Sequence, residues 1–71
     1  MKYEKIQISL TAARVNAGYT QDQVAKTMHK SKQTIVNWEN GKTVPGVAEM
    51  EMLSRLYKMP QDNISLPSYS T

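Results

Sequence analysis

Between Thr20 and Thr43 the chain carries two helix starts, eleven residues apart, and a helix stop after each. That leaves room for two short helices joined by a tight turn. Thr20 and Gln23 form an S/T-x-x-E/Q capping box, and Tyr19 with Val24 supplies the hydrophobic staple that accompanies one. Val24, Ala25 and Met28 are the inward positions of this helix, and His29 and Lys30 form the turn. Ser31 caps the next helix, which ends at Asn40-Gly41, the expected C-terminal signal. Ile35 and Trp38 lie three apart and fix its inward face.

The rest of the chain supplies partners for these two helices. Residues 1–8 read as a preceding arm, with Tyr3, Ile6 and Ile8 as its apolar positions. Ser9 caps a first helix that runs to about Ala17 and stops at Gly18, with Leu10, Ala13 and Ala17 on one face. Thr43 to Gly46 is a linker. A fourth helix follows, with Val47, Met50, Leu53, Leu56 and Tyr57 as its buried stripe, and Pro60 breaks it. Glu49 and Glu51 suit the N-terminal end of its dipole, and Arg55 and Lys58 the C-terminal end. A last helical turn spans Gln61 to Ile64, with Ile64 as its anchor. The tail from Leu66 on is rich in Ser and Pro and reads as frayed. The expected organisation is an arm at 1–8, one all-α domain at 9–66 and a flexible tail at 67–71.

Seventy-one residues make one domain. A chain this short buries only about 60% of its unfolded surface, so oligomerisation would help it. Nine Lys and Arg against six Asp and Glu give a net charge of +3, and the pI is near 9.3. This is a mild electrostatic footprint of a nucleic-acid binder. No cysteine is present, which excludes disulfides and thiolate zinc sites. No apolar run approaches a membrane span or a signal-peptide core, so the expected location is cytoplasmic.

The third helix carries the functional signal. With Ile35 and Trp38 facing the core, Lys32 and Val36, and Gln33 and Asn37, each four apart, form one outward patch over its N-terminal half. That is the part of a recognition helix that reaches base edges in the major groove. Gln and Asn suit adenine, Lys suits guanine O6 and N7, and Val suits a thymine methyl. Candidate phosphate ligands surround the patch: Gln21 at the start of the second helix, and Lys30, Asn40, Lys42 and Thr43 flanking the third. Lys26 to Thr43 holds four lysines and one acid, whereas Val44 to Thr71 holds two basic residues and three acids. The layout is a helix-turn-helix on the basic half of the chain.

Several of these residues together resemble the Cro and phage-repressor group of helix-turn-helix proteins, the Xre-like family. They are Arg14, Gly18-Tyr19-Thr20-Gln21, Val24-Ala25, Ser31-x-x-Thr34-Ile35 and Trp38-Glu39-Asn40-Gly41-Lys42-x-x-Pro45. The resemblance spans about Ser9 to Leu66. It implies a compact five-helix, lambda-repressor-like domain that binds operator DNA, usually as a dimer. It implies that Gln21 and Asn40 touch phosphates, that Lys32, Gln33 and Asn37 face bases, and that Arg14 pairs with Glu39. At the position of His29 the family most often has Gly, because the backbone there is left-handed; His tolerates that region with some strain.

The expected function is therefore a sequence-specific transcriptional regulator of Cro or repressor type. Its partner is double-stranded, palindromic operator DNA, and it acts as a homodimer, formed in solution or only on DNA. The expected dimer contact is the segment Asp62 to Tyr69. The chain stops soon after the DNA-binding domain, which favours the Cro type over a two-domain repressor. The alternative is a protein-interaction module on the same fold, an antirepressor or antitoxin whose partner is a protein such as a repressor. No acid pair, nucleophile–base set or metal cluster can be assembled, so neither an enzyme nor a cofactor or metal is expected. Trp38 reads as core rather than a stacking platform. The Met residues read as core fillers, although Met50 and Met52 cannot both face inward.

Overall fold

The computed structural model describes residues 7–67. Tyr3, Ile6 and Tyr69 lie outside that range. Within it stand four α-helices: α1 (Leu10–Asn16), α2 (Gln21–Met28), α3 (Lys32–Asn40) and α4 (Val47–Tyr57). In place of the expected fifth helix stands a single 3-10 turn at Gln61–Asn63, and Ile64, expected as its last residue, is extended. The starts follow from caps. Ser9 Oγ accepts from the Ala12 N–H at 3.0 Å, and Ser31 Oγ accepts from the Thr34 N–H at 3.2 Å. At α2 the box is reciprocal: the Gln23 N–H donates to Thr20 Oγ1 at 3.1 Å and the Thr20 N–H to Gln23 Oε1 at 2.8 Å. At α4 the N-cap is Gly46, whose N–H donates to Glu49 Oε1 at 2.7 Å.

All four α-helices end in the same turn. Gly18, His29, Gly41 and Lys58 take φ of +86°, +57°, +82° and +55°. In each case the next N–H reaches back across the turn: Tyr19 to Arg14 O, Lys30 to Ala25 O, Lys42 to Asn37 O and Met59 to Ser54 O. These are Schellman turns, which satisfy carbonyls that the helix end would otherwise leave unpaired. His29 is left-handed as the sequence suggested; Lys58 is left-handed without any glycine signal.

One core joins the elements. Leu10 and Ala13 from α1, Val24, Ala25 and Met28 from α2, Ile35 and Trp38 from α3, and Leu53 and Tyr57 from α4 are buried with Ile64. Each fully buried aliphatic side chain contributes about 1.5–3 kcal/mol. The chain ends are tied by a short parallel pair, β1 (Ile8–Ser9) with β2 (Ile64–Ser65), in register Ile8 to Ile64 and Ser9 to Ser65. Gln7 Nε2 donates to Asp62 O at 3.1 Å beside it. Leu66, expected in a frayed tail, packs against the core.

Val47 corrects the expected stripe of α4: it is 88% exposed. Leu53 and Tyr57 set the phase of the helix, and Val47 lies about 120° round from Leu53. Met50 and Leu56 pack beside the core, and Met52 faces out.

Candidate nucleic-acid interface

The orientation of α3 is fixed by more than Ile35 and Trp38. Glu39, on its flank, is a hub for α1 and α2. It accepts from Arg14 Nε at 2.8 Å and Nη2 at 3.4 Å, from Thr11 Oγ1 at 3.0 Å and from Gln21 Nε2 at 2.9 Å. Arg14 Nη1 also donates to Tyr19 O at 2.9 Å. The Arg14 and Glu39 side chains are 13% and 5% exposed. Burial pushes the Glu39 carboxyl up, but the hydrogen bonds from Arg14, Gln21 and Thr11, with the charge of Arg14, hold it below its usual range. The hydrogen bond to Glu39 raises the Arg14 guanidinium in turn. The pair joins α1 to α3 in a fork geometry that a lysine would not reproduce, and Gln21 ties α2 to the same carboxylate.

With that anchor in place, α3 presents its opposite face outward. Lys32, Gln33 and Asn40 are exposed, and Val36 and Asn37 are half-buried. Gln33 Nε2 donates to Asn37 Oδ1 at 2.9 Å, so the two amides stand as one unit one turn apart. The bond uses one donor of Gln33 and one oxygen of Asn37. It leaves the Gln33 oxygen and the Asn37 amide nitrogen as an adjacent acceptor and donor.

The flanking residues fall into different situations. Lys42 and Thr43 are exposed just beyond α3, with their N–H groups folded back onto Asn37 O at 2.9 Å and 3.4 Å. Gln21 is half-buried, its side-chain nitrogen committed to Glu39. It can offer an anion the second N–H of that amide and the backbone N–H groups at the start of α2. Lys30 pairs with Glu49 of α4, Nζ to Oε2 at 2.7 Å, the side chains 38% and 28% exposed. The hydrogen bond from Lys30, with that from the Gly46 N–H, holds the Glu49 carboxyl below its usual range.

Sequence reasoning missed two participants. Thr11 is the third donor to Glu39, and Glu49, read only as a helix-dipole residue, is the partner of Lys30. Neither contact has a local signature, since each joins separate helices. Among the described residues no group of three His, Cys, Asp or Glu side chains is arranged to hold a metal, and no helix is long and apolar enough to cross a membrane. A family model described as helix-turn-helix matches residues 10–60. No curated protein and no solved structure matches the chain.

Proposed function

The chain belongs to the Cro/C1-type helix-turn-helix family, and from that premise we propose that it is a sequence-specific transcriptional regulator reading operator DNA in the major groove. The observation that carries this reading is the Gln33–Asn37 amide pair, outward on the N-terminal half of α3 and held in place through the Glu39 hub. A preset donor and acceptor side by side suits the N6 and N7 edge of adenine. Lys32 and Val36 flank the pair as further base contacts. Asn40, Lys42, Thr43 and the N-terminal backbone of α2 at Gln21 serve as phosphate contacts. Lys30 joins them only by leaving Glu49.

One module of this size covers a single half-site, so specific affinity requires two copies on a palindrome. The half-sites are then about 10–10.5 base pairs apart. The test is an unbiased selection of DNA sites, followed by titration of Gln33→Ala on the selected site and on random DNA. The expected outcome is a loss of about 1–3 kcal/mol on the selected site with relaxed preference at one base position. Equal losses on both DNAs would remove the base-reading role.

A further inference from the structure

The two oxygens of Glu39 are held in different ways. Arg14 Nε meets Oε2 at 2.8 Å, but Arg14 Nη2 stands 3.4 Å from Oε1. The fork is tight on one prong and slack on the other, since a good charge-assisted bond measures about 2.7–2.9 Å. Arg14 therefore sets Oε2, and the place of Oε1 is left to Thr11 Oγ1 at 3.0 Å and Gln21 Nε2 at 2.9 Å. Thr11 is exposed on α1, outside the core, and Ser9 already caps that helix. What its hydroxyl does is hold Oε1.

Gln21 depends on where Oε1 stands. The Glu39 carboxyl is held below its usual range, so it is ionised and can only accept. The amide of Gln21 must then turn its nitrogen towards Glu39, which leaves the second N–H of that nitrogen directed away from the carboxylate. If Oε1 swung to Arg14 Nη2 and closed the slack prong, it would abandon Gln21. The amide would then turn freely and offer an anion its oxygen as readily as its nitrogen.

We propose that Thr11 is a positioning residue for DNA binding: by holding Glu39 Oε1 towards Gln21, it fixes the Gln21 amide with its second N–H presented to a backbone phosphate. This rests on the reading of the chain as a DNA binder. It deepens that reading by adding the Gln21 side chain to the backbone N–H groups at the start of α2 and by naming the residue, on another helix, that aims it. Thr11 acts through Glu39 and Gln21 and needs no contact with DNA. A phosphate contact carries no sequence information, so the effect is the same on every duplex. A neutral amide displaces no counterion, so the salt dependence is untouched.

The experiment compares the full chain with Thr11→Val, Thr11→Ser, Gln21→Ala and the double variant Thr11→Val/Gln21→Ala. Valine keeps the shape of threonine and removes the donor; serine keeps the donor. Affinity is measured on a duplex selected for tight binding and on a random one, well below the melting temperature of every variant. Thr11→Val and Gln21→Ala should each weaken binding about threefold to tenfold on both duplexes, the size of one hydrogen bond. The slope of log affinity against log salt should not change. Thr11→Ser should bind like the parent, and Thr11→Val should add nothing once Gln21 is alanine. Without DNA, the side-chain amide resonances of Gln21 should move towards those of a free amide in Thr11→Val and return in Thr11→Ser. Parent-like binding by Thr11→Val or by Gln21→Ala would overturn the proposal, as would losses that multiply in the double variant, a loss confined to the selected duplex, or unmoved Gln21 resonances. Each of these leaves DNA binding by the parent chain intact, whereas a parent that binds neither duplex removes the DNA-binding reading and the proposal with it.

Discussion

Glu39 and Glu49 are both carboxylates that tie helices together, and each meets its cation at nearly the same distance, 2.8 Å and 2.7 Å. Their surroundings differ. Glu39 is 5% exposed and receives donors from Arg14, Thr11 and Gln21. Glu49 is 28% exposed, and its remaining oxygen serves only the Gly46 N–H. Distance therefore does not rank the two contacts. Burial and the number of partners do, because a carboxylate with little water around it depends on its protein donors more than one that water can reach. The junction of α1, α2 and α3 is built to stay closed. The seam between the turn after α2 and the start of α4 can open at little cost.

The largest expected effect lies at the junction. Glu39→Ala removes the partner of a part-buried guanidinium and of two further donors, and should cost about 1–3 kcal/mol. That is a large share of the roughly 5–15 kcal/mol total of a small domain. Arg14→Ala should cost a similar amount, and the double variant less than the sum of the two. Denaturant titrations of all three chains would check this, and unmoved midpoints would erase the distinction between the two regions. The same contact sets the acid limb. Glu39 lies below its unfolded value of 4.5, so its contribution is complete above that pH and fades as pH falls through the folded value. Glu39→Gln should flatten the loss of stability below pH 4.5 more than Glu49→Gln does. At the alkaline end, burial with the nearby Glu39 charge pushes Tyr57 from 10.0 up to about 12. The unfolded chain then ionises first, and stability falls as pH rises from 10 towards 12.

The second effect concerns the turns. Two helices of the junction, α1 and α3, end at Gly18 and Gly41, where φ beyond +80° carries no side-chain penalty. The helices joined by the seam, α2 and α4, make the same turn at His29 and Lys58. A left-handed residue with a Cβ costs about 1–2 kcal/mol, part of which glycine returns through the freedom of the unfolded chain. His29→Gly and Lys58→Gly should therefore be neutral to stabilising, by up to about 1 kcal/mol each. Gly18→Ala should be destabilising from backbone conformation alone, since nothing lies within 4 Å of the added Cβ. Urea midpoints decide it; stabilisation by Gly18→Ala would show that the turns are not equivalent.

The junction was largely open to reading and the seam was not. Ser9, Thr20 with Gln23, and Ser31 start their helices where local hydrogen-bonding chemistry says they should. His29 occupies a left-handed site that the family resemblance marks. The Arg14–Glu39 pair came only through that resemblance, because two residues on separate helices leave no periodic trace. The four-residue spacing of Gln33 and Asn37 put them on one face, but not the bond between them. Lys30–Glu49 had no signal: each residue already had a sufficient local explanation, one as a basic flank and the other as a helix-dipole acid. Lys58 looked like an ordinary last-turn cation. The pair of Ile8–Ser9 with Ile64–Ser65 is too short for an alternating pattern to reveal. Val47 was misplaced because an apolar residue at the first position of a helix fits the inward stripe by type, though not by angle.

The smallest expected effect on stability is at the seam, and it has the most to say about function. Glu49→Gln removes the charge that holds Lys30 while keeping an oxygen for the Gly46 N–H, so α4 remains capped. An exposed pair of this kind contributes about 0–1 kcal/mol, and the melting temperature should barely move. DNA binding should change more. With Lys30 held by Glu49, the other lysines between Lys26 and Thr43 that can displace counterions in each copy are Lys26, Lys32 and Lys42. Two copies on paired half-sites then give a slope of log affinity against log salt of about −5, at roughly −0.9 per phosphate neutralised. Releasing Lys30 in both copies should steepen the slope to about −7 and raise affinity at low salt. Lys30→Met should leave the slope of the parent chain unchanged and cancel the gain from Glu49→Gln. If the parent chain already shows about −7, Lys30 leaves Glu49 on DNA unaided, and the seam places no restraint on binding.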